Sequence, residues 1–104
     1  EAFVSARDWH QFHSPKNLSM ALSVEAAELV EHFQWLTPDQ SEDLSGDQTQ
    51  AVGEELADIL IYTLMVAMRL GIDLEHATVN KMKQNRDKYP VEKSRGIAAK
   101  YDEL

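Results

Sequence analysis

The 104-residue sequence predicts an all-α fold, and three observations carry that expectation. No stretch alternates apolar and polar residues with the period of two that a half-buried strand needs. Only 4 Gly and 3 Pro occur, few for a turn-rich β protein. Apolar residues instead recur at helical spacing, as in Leu18, Leu22, Leu29 and Phe33, or fill a whole helix, as from Leu56 to Leu70. Hydrophobic residues make up 43% of the chain, enough for a core, and the length suits a single domain over 1–104. A domain of this size leaves much of its surface exposed and often leans on a partner chain.

Residues 3–12 read as a short helix. The break "HSPKN" follows, with Ser14 or Asn17 as the N-cap of a long helix running to about Phe33. "LTPDQSEDLSGDQTQ", residues 36–50, is a polar connection in which Pro38 opens a turn of helix. The next helix spans about Gln48 to Leu70, and Gly71 suits its C-cap. Asp73 caps a further helix that ends near Tyr89–Pro90, because proline disfavours helical backbone in the residue before it. No element is assigned from residue 91 onward.

From Leu56 to Leu70 only Asp58, Thr63 and Arg69 are clearly polar. Ile59, Leu60, Ile61, Leu64, Met65, Val66 and Met68 cover every side of that cylinder, so it must be buried all round. The run is shorter than the ~20 apolar residues of a membrane span and contains Asp58, which excludes a bilayer. The other helices of so short a chain can hardly enclose it. A homo-oligomer, dimer or tetramer, is therefore expected, with this helix at the subunit interface.

Net charge is −8, which argues against DNA as a partner, since a polyanion repels an acidic surface. The charge is uneven. Residues 1–80 hold 14 of the 18 acids and only Arg7, Lys16 and Arg69 as bases, whereas seven bases fall between Lys81 and Lys100. An acidic body with a basic end could bind a metal and a phosphate together, although solvated helix faces would look the same. No cysteine occurs, which excludes disulfides, thiolate catalysis and cysteine-ligated zinc and fits the reducing cytoplasm. The chain begins at Glu1 rather than Met, so a missing leader says little about targeting.

The chemistry concentrates in "SVEAAELVEHFQW" and "GEELADILIY". On a helical wheel Glu25 falls at the centre of the Leu18–Leu22–Leu29–Phe33 stripe, with Glu28 on its flank and Glu31 further round. Glu25 and Glu28 are spaced i, i+3, and Glu55 and Asp58 repeat that spacing at the start of the apolar helix. Unpaired buried carboxylates cost several kcal/mol each. They can take up protons, pair with cations of the chain or bind a metal. Neither helix places a base among them. Oxygen-only ligands suit Mg²⁺, Mn²⁺ or Ca²⁺. The alternative is four solvated flank residues, and an isolated E-x-x-E is common. A di-iron bundle would need Glu-x-x-His at i, i+3, whereas His32 follows Glu28 by four. No H-E-x-x-H occurs for zinc. His10, His13, His32 and His76 form no ligand set and read as surface or packing residues.

Lys81, Asn85 and Lys88 share one helix face at i, i+4, i+7 and could meet phosphate, Lys as a point charge and Asn as an amide donor. A solvated basic face is the plainer alternative. Trp9, Phe12 and Trp35 flank the carboxylate helix in sequence and could stack on a base or pack a core.

With "RDWHQFHSPKNLSMALSVEAAELVEHFQW", "EELADILIY", "KMKQNRDKYP" and "KYDEL" taken together, the sequence resembles the MazG-like family of all-α nucleoside triphosphate pyrophosphohydrolases, and within it the small dCTP pyrophosphatase-type members. The resemblance covers most of the chain. It implies a four-helix core assembled as a dimer or a dimer of dimers, with active sites between subunits. It implies Mg²⁺ (or Mn²⁺ as substitute) at Glu25, Glu28, Glu55 and Asp58. Lys81 and Asn85 match the phosphate contacts, and Lys81 would stabilise charge during phosphoryl transfer. Trp9, His13, Trp35 and Tyr62 match the base and sugar pocket. Glu31, or one of the ligands, would orient the attacking water. The implied reaction splits a (deoxy)nucleoside triphosphate into monophosphate and pyrophosphate, with a dCTP-like preference, as nucleotide-pool housecleaning. One departure is "SVEAAEL", where many relatives carry Gly before or between the glutamates; both replacements are small, so the backbone path should survive. The rival reading is a non-enzymatic helical dimerisation module, with structural Ca²⁺ or no metal. It accounts for the apolar helix but not for Glu25, Lys81 and Asn85 together.

Overall fold

The computed structural model of the chain describes residues 13–88, and these contain helices and no strand. They form α1 (Pro15–Glu31), α2 (Pro38–Ser41), α3 (Gly46–Leu70) and α4 (Leu74–Lys88). The expected helix over 3–12, and Trp9 with it, lies outside the described residues, as does the Tyr89–Pro90 boundary. Two compact units divide the chain, one up to Gly71 and one from Ile72 onward, the second containing α4.

Each helix starts where a side chain satisfies an orphan backbone donor. Of the two candidate caps for α1, Ser14 is the one used: it is extended, and its Oγ accepts from the Asn17 N–H at 3.1 Å. Pro15 follows at the first helical position, where a missing N–H costs nothing. Thr37 and Gln40 form a reciprocal capping box at α2, and Ser45 and Gln48 form another at α3. Gln48 is thus the third residue of its helix rather than the first, which moves the start of α3 two residues earlier than expected. Gly71 ends α3 at φ 65°, the left-handed conformation a Cβ resists. In the second unit, Asp73 Oδ1 accepts from the His76 N–H at 3.0 Å and so caps α4.

The end of α1 also differs from expectation. The helix stops at Glu31, and residues 32–35 continue as turns in which the N–H groups of His32, Phe33 and Gln34 reach back to Leu29 and Val30. Phe33 therefore sits in the turn rather than in the helix.

In the first unit, α1 and α3 pack together. Leu18, 1% exposed, and Ala67, 6% exposed, are the buried hydrophobic residues. Beyond Pro15, the half-buried positions of α1 are Ala21, Leu22, Glu25, Glu28 and Leu29, a heptad-like stripe that continues from Leu18. On α3 the half-buried positions include Val52, Glu55, Ile59, Tyr62, Thr63 and Val66. A second apolar row on α3, formed by Leu56, Leu60, Ile61, Leu64 and Met68, is exposed. Among the described residues no helix is long and apolar enough to cross a membrane.

Candidate metal centre

The α1–α3 contact carries acids as well as apolar side chains. Glu25 and Glu28 project from successive turns of α1, and Glu55 comes from α3. Each offers a carboxylate oxygen, and these oxygens lie within 4.8 Å of one another. All three residues are half-buried. Among the described residues, Glu25 Oε2 and Glu55 Oε2 are buried atoms with no hydrogen-bond partner. Buried acceptors are normally paired, so these two oxygens leave a need that the described residues do not meet.

The crowding shows in the proton affinity of Glu25. Its pKa rises from the ordinary 4.5 to about 7. Burial against the neighbouring helix contributes most, followed by side-chain hydrogen bonds with Glu28 and Glu55, then by the charges of Glu28 and Asp58. Each of these disfavours the ionised form. A divalent cation would reverse all of them. The donor set, hard carboxylate oxygens from two helices with two lacking partners, fits Mg²⁺, Mn²⁺ or Ca²⁺.

The remaining candidates are distributed as follows. Asp58 is exposed on α3 and lies outside the three-residue set, although its charge reaches Glu25. Glu31 is exposed at the last position of α1. Trp35, in the turn after α1, is 86% exposed, so it is not a core residue of this chain. Tyr62 is half-buried two turns beyond Glu55 on the same face of α3, and His13 is half-buried just before α1. Lys81 and Asn85 are exposed on α4 in the second unit.

One residue was read too plainly from sequence. His32 Nε2 lies 3.7 Å from Glu55 Oε1, with side chains 31% and 19% exposed. An imidazole thus stands at the cluster, although neither helix supplies a Lys or Arg there, as expected. The signal was present: Glu25, Glu28 and His32 follow at i, i+3, i+7 and so share one face.

The sequence and the fold both match known proteins. The MazG-like family model matches residues 20–104. dCTP pyrophosphatase 1 of Bos taurus is 48% identical over 105 residues, and that of Mus musculus 45% over 108. Both alignments cover 98% of this chain but only 62% and 61% of those relatives, so the chain spans less than two thirds of their length. A solved pyrophosphatase from Archaeoglobus fulgidus DSM 4304 superposes with a TM-score of 0.81 at 39% identity, covering 86% of this chain and 83% of that one. A family match over that span, with these identities, makes the chain a member of the MazG-like family.

Proposed function

We propose that the protein is a pyrophosphohydrolase that splits a nucleoside triphosphate into monophosphate and pyrophosphate with a divalent cation, Mg²⁺ or Mn²⁺. The observation that carries this reading is the pair of buried, unpartnered oxygens on Glu25 and Glu55 within a three-carboxylate cluster. A dimerisation module without metal would give those oxygens no role. The names of the relatives point the same way and make dCTP the first substrate to try.

Glu25, Glu28 and Glu55 would hold the cation, with Asp58 as a fourth carboxylate one turn further along α3. Bound there, the cation supplies neutralisation of phosphate charge and acidification of water. The chain's own residues do the rest. Lys81 contributes a point charge that offsets the negative charge developing on the phosphates. Asn85, on the same face of α4, donates its amide N–H to a phosphate or sugar oxygen. Glu31, three residues beyond Glu28, accepts a hydrogen bond from the attacking water and orients it. Trp35 offers an open indole face for a base, and Trp9, His13 and Tyr62 complete the pocket. The exposed row Leu56–Leu60–Ile61–Leu64–Met68 is the face on which a second copy would pack. In this reading the protein is a cytoplasmic homo-oligomer, a dimer or tetramer, that clears the nucleotide pool.

The test is incubation with each of the four dNTPs, with Mg²⁺ and with a chelator, and separation of the products. Monophosphate and pyrophosphate in equal amounts, only with metal, are expected. Failure to release pyrophosphate from any triphosphate would overturn the reading.

A further inference from the structure

We propose that His32 is a positioning residue for Glu55, holding one oxygen of that carboxylate so that the other is presented to the cation. The inference rests on the metal-binding reading of the cluster.

Two of the three acids, Glu25 and Glu28, come from one helix and keep their spacing without help. Glu55 comes from α3, and its side chain must be aimed across the gap. His32 is placed to do this. It is the first residue beyond α1, and its backbone N–H is already bonded to the carbonyls of Leu29 and Val30. The helix end is therefore secured by main chain, and the imidazole is not needed for the cap. The ring Nε2 lies 3.7 Å from Glu55 Oε1. That distance is just beyond a hydrogen bond, which a small rotation of either side chain would close. The contact is half-buried on both sides, where it weighs more than between exposed groups. With Oε1 facing His32, Oε2 is the oxygen left without a partner. Partners that orient a ligand in this way typically matter 10–100-fold for metal affinity.

The experiment titrates Mn²⁺ alone into the whole chain by calorimetry, with electron paramagnetic resonance as a second readout. Wild type is compared with His32→Leu, which keeps bulk but no donor, with His32→Gln, which keeps an N–H, and with Glu28→Gln. His32→Leu should weaken Mn²⁺ binding by about 10-fold, and His32→Gln should recover most of that loss. The metal-free helical signal of both should match wild type. Wild-type affinity in His32→Leu overturns the inference. So does equal weakening in the Leu and Gln variants, or loss of helix in metal-free His32→Leu, since either marks a packing role. Should wild type itself bind no Mn²⁺, the metal reading falls and this inference with it. Binding that Glu28→Gln abolishes but His32→Leu leaves intact removes only the role of His32.

Discussion

Glu25 gives the metal-free protein a pH dependence of unusual sign. An ordinary native carboxylate has a depressed pKa and contributes stability as pH rises. The Glu25 carboxyl has the opposite shift, from 4.5 to about 7. Below 4.5 both folded and unfolded chains hold the proton. Between 4.5 and 7 the folded chain keeps it and the unfolded chain has lost it. The contribution of Glu25 is thus present in full at acid pH and is lost as pH rises through about 7. Midway, near pH 5.8, the difference amounts to about 0.9 of a proton. Glu25→Gln, uncharged at every pH, isolates this from all other groups. With chelator present, thermal midpoints of both proteins are measured from pH 4.5 to 8. Wild type should lose stability relative to Glu25→Gln across that window. Mg²⁺ requires the ionised form, so adding it near pH 5.8 should release most of that proton, readable by calorimetry in buffers of different ionisation enthalpy. Parallel curves for the two proteins, or a wild type that gains on Glu25→Gln as pH rises, would refute the account of the cluster.

Further outcomes follow from the proposed function. Glu28→Gln should abolish turnover while keeping the helical circular-dichroism signal, and near-normal turnover would remove Glu28 from the site. Sedimentation at micromolar protein should give a dimer or tetramer, because the outer row of α3 is apolar and exposed; a stable monomer would contradict that inference. Lys81→Ala should lower kcat/KM on the order of 10²-fold, the usual effect of removing one donor to developing charge, while Mg²⁺ affinity of the free protein stays unchanged. An unaltered kcat/KM would take Lys81 out of the mechanism.

Much of this was legible in local chemistry. Gly71 and Asp73 were readable as punctuation, because a left-handed C-cap and an Asp N-cap depend on a few adjacent residues. Glu25 stood out as an acid within an apolar stripe. What local pattern could not resolve is the rotation of α3 about its axis. Glu55 and Asp58 look equivalent as an i, i+3 pair, yet Glu55 turns into the contact with α1 and Asp58 is exposed. That choice depends on how Val52, Ile59 and Tyr62 dock, which is tertiary information. The His32–Glu55 contact escaped for the same reason: only the docked helices bring them within 3.7 Å. The early start of α3 was missed differently, by taking Gln48 as an end rather than as the third residue of a capping box.

The placement of Glu25 has a further consequence for how the two helices stay together. Three carboxylates with oxygens this close cannot all ionise cheaply in a half-buried contact. Something positive must enter the cluster, and a proton on Glu25 is the simplest choice in the metal-free chain. It removes one of the charges that would push α1 and α3 apart. A divalent cation would do the same with all three acids ionised, and would displace that proton. Proton and proposed cation would thus be alternative counter-charges for the same cluster. At acid pH the proton on Glu25 lowers the repulsion between the acids of α1 and α3. As pH rises through about 7 the proton leaves, and in the proposed metal-binding reading a cation would take over its role. In that reading, the feature that makes Glu25 costly as a core residue would tie the packing of the first unit to cation binding under neutral conditions.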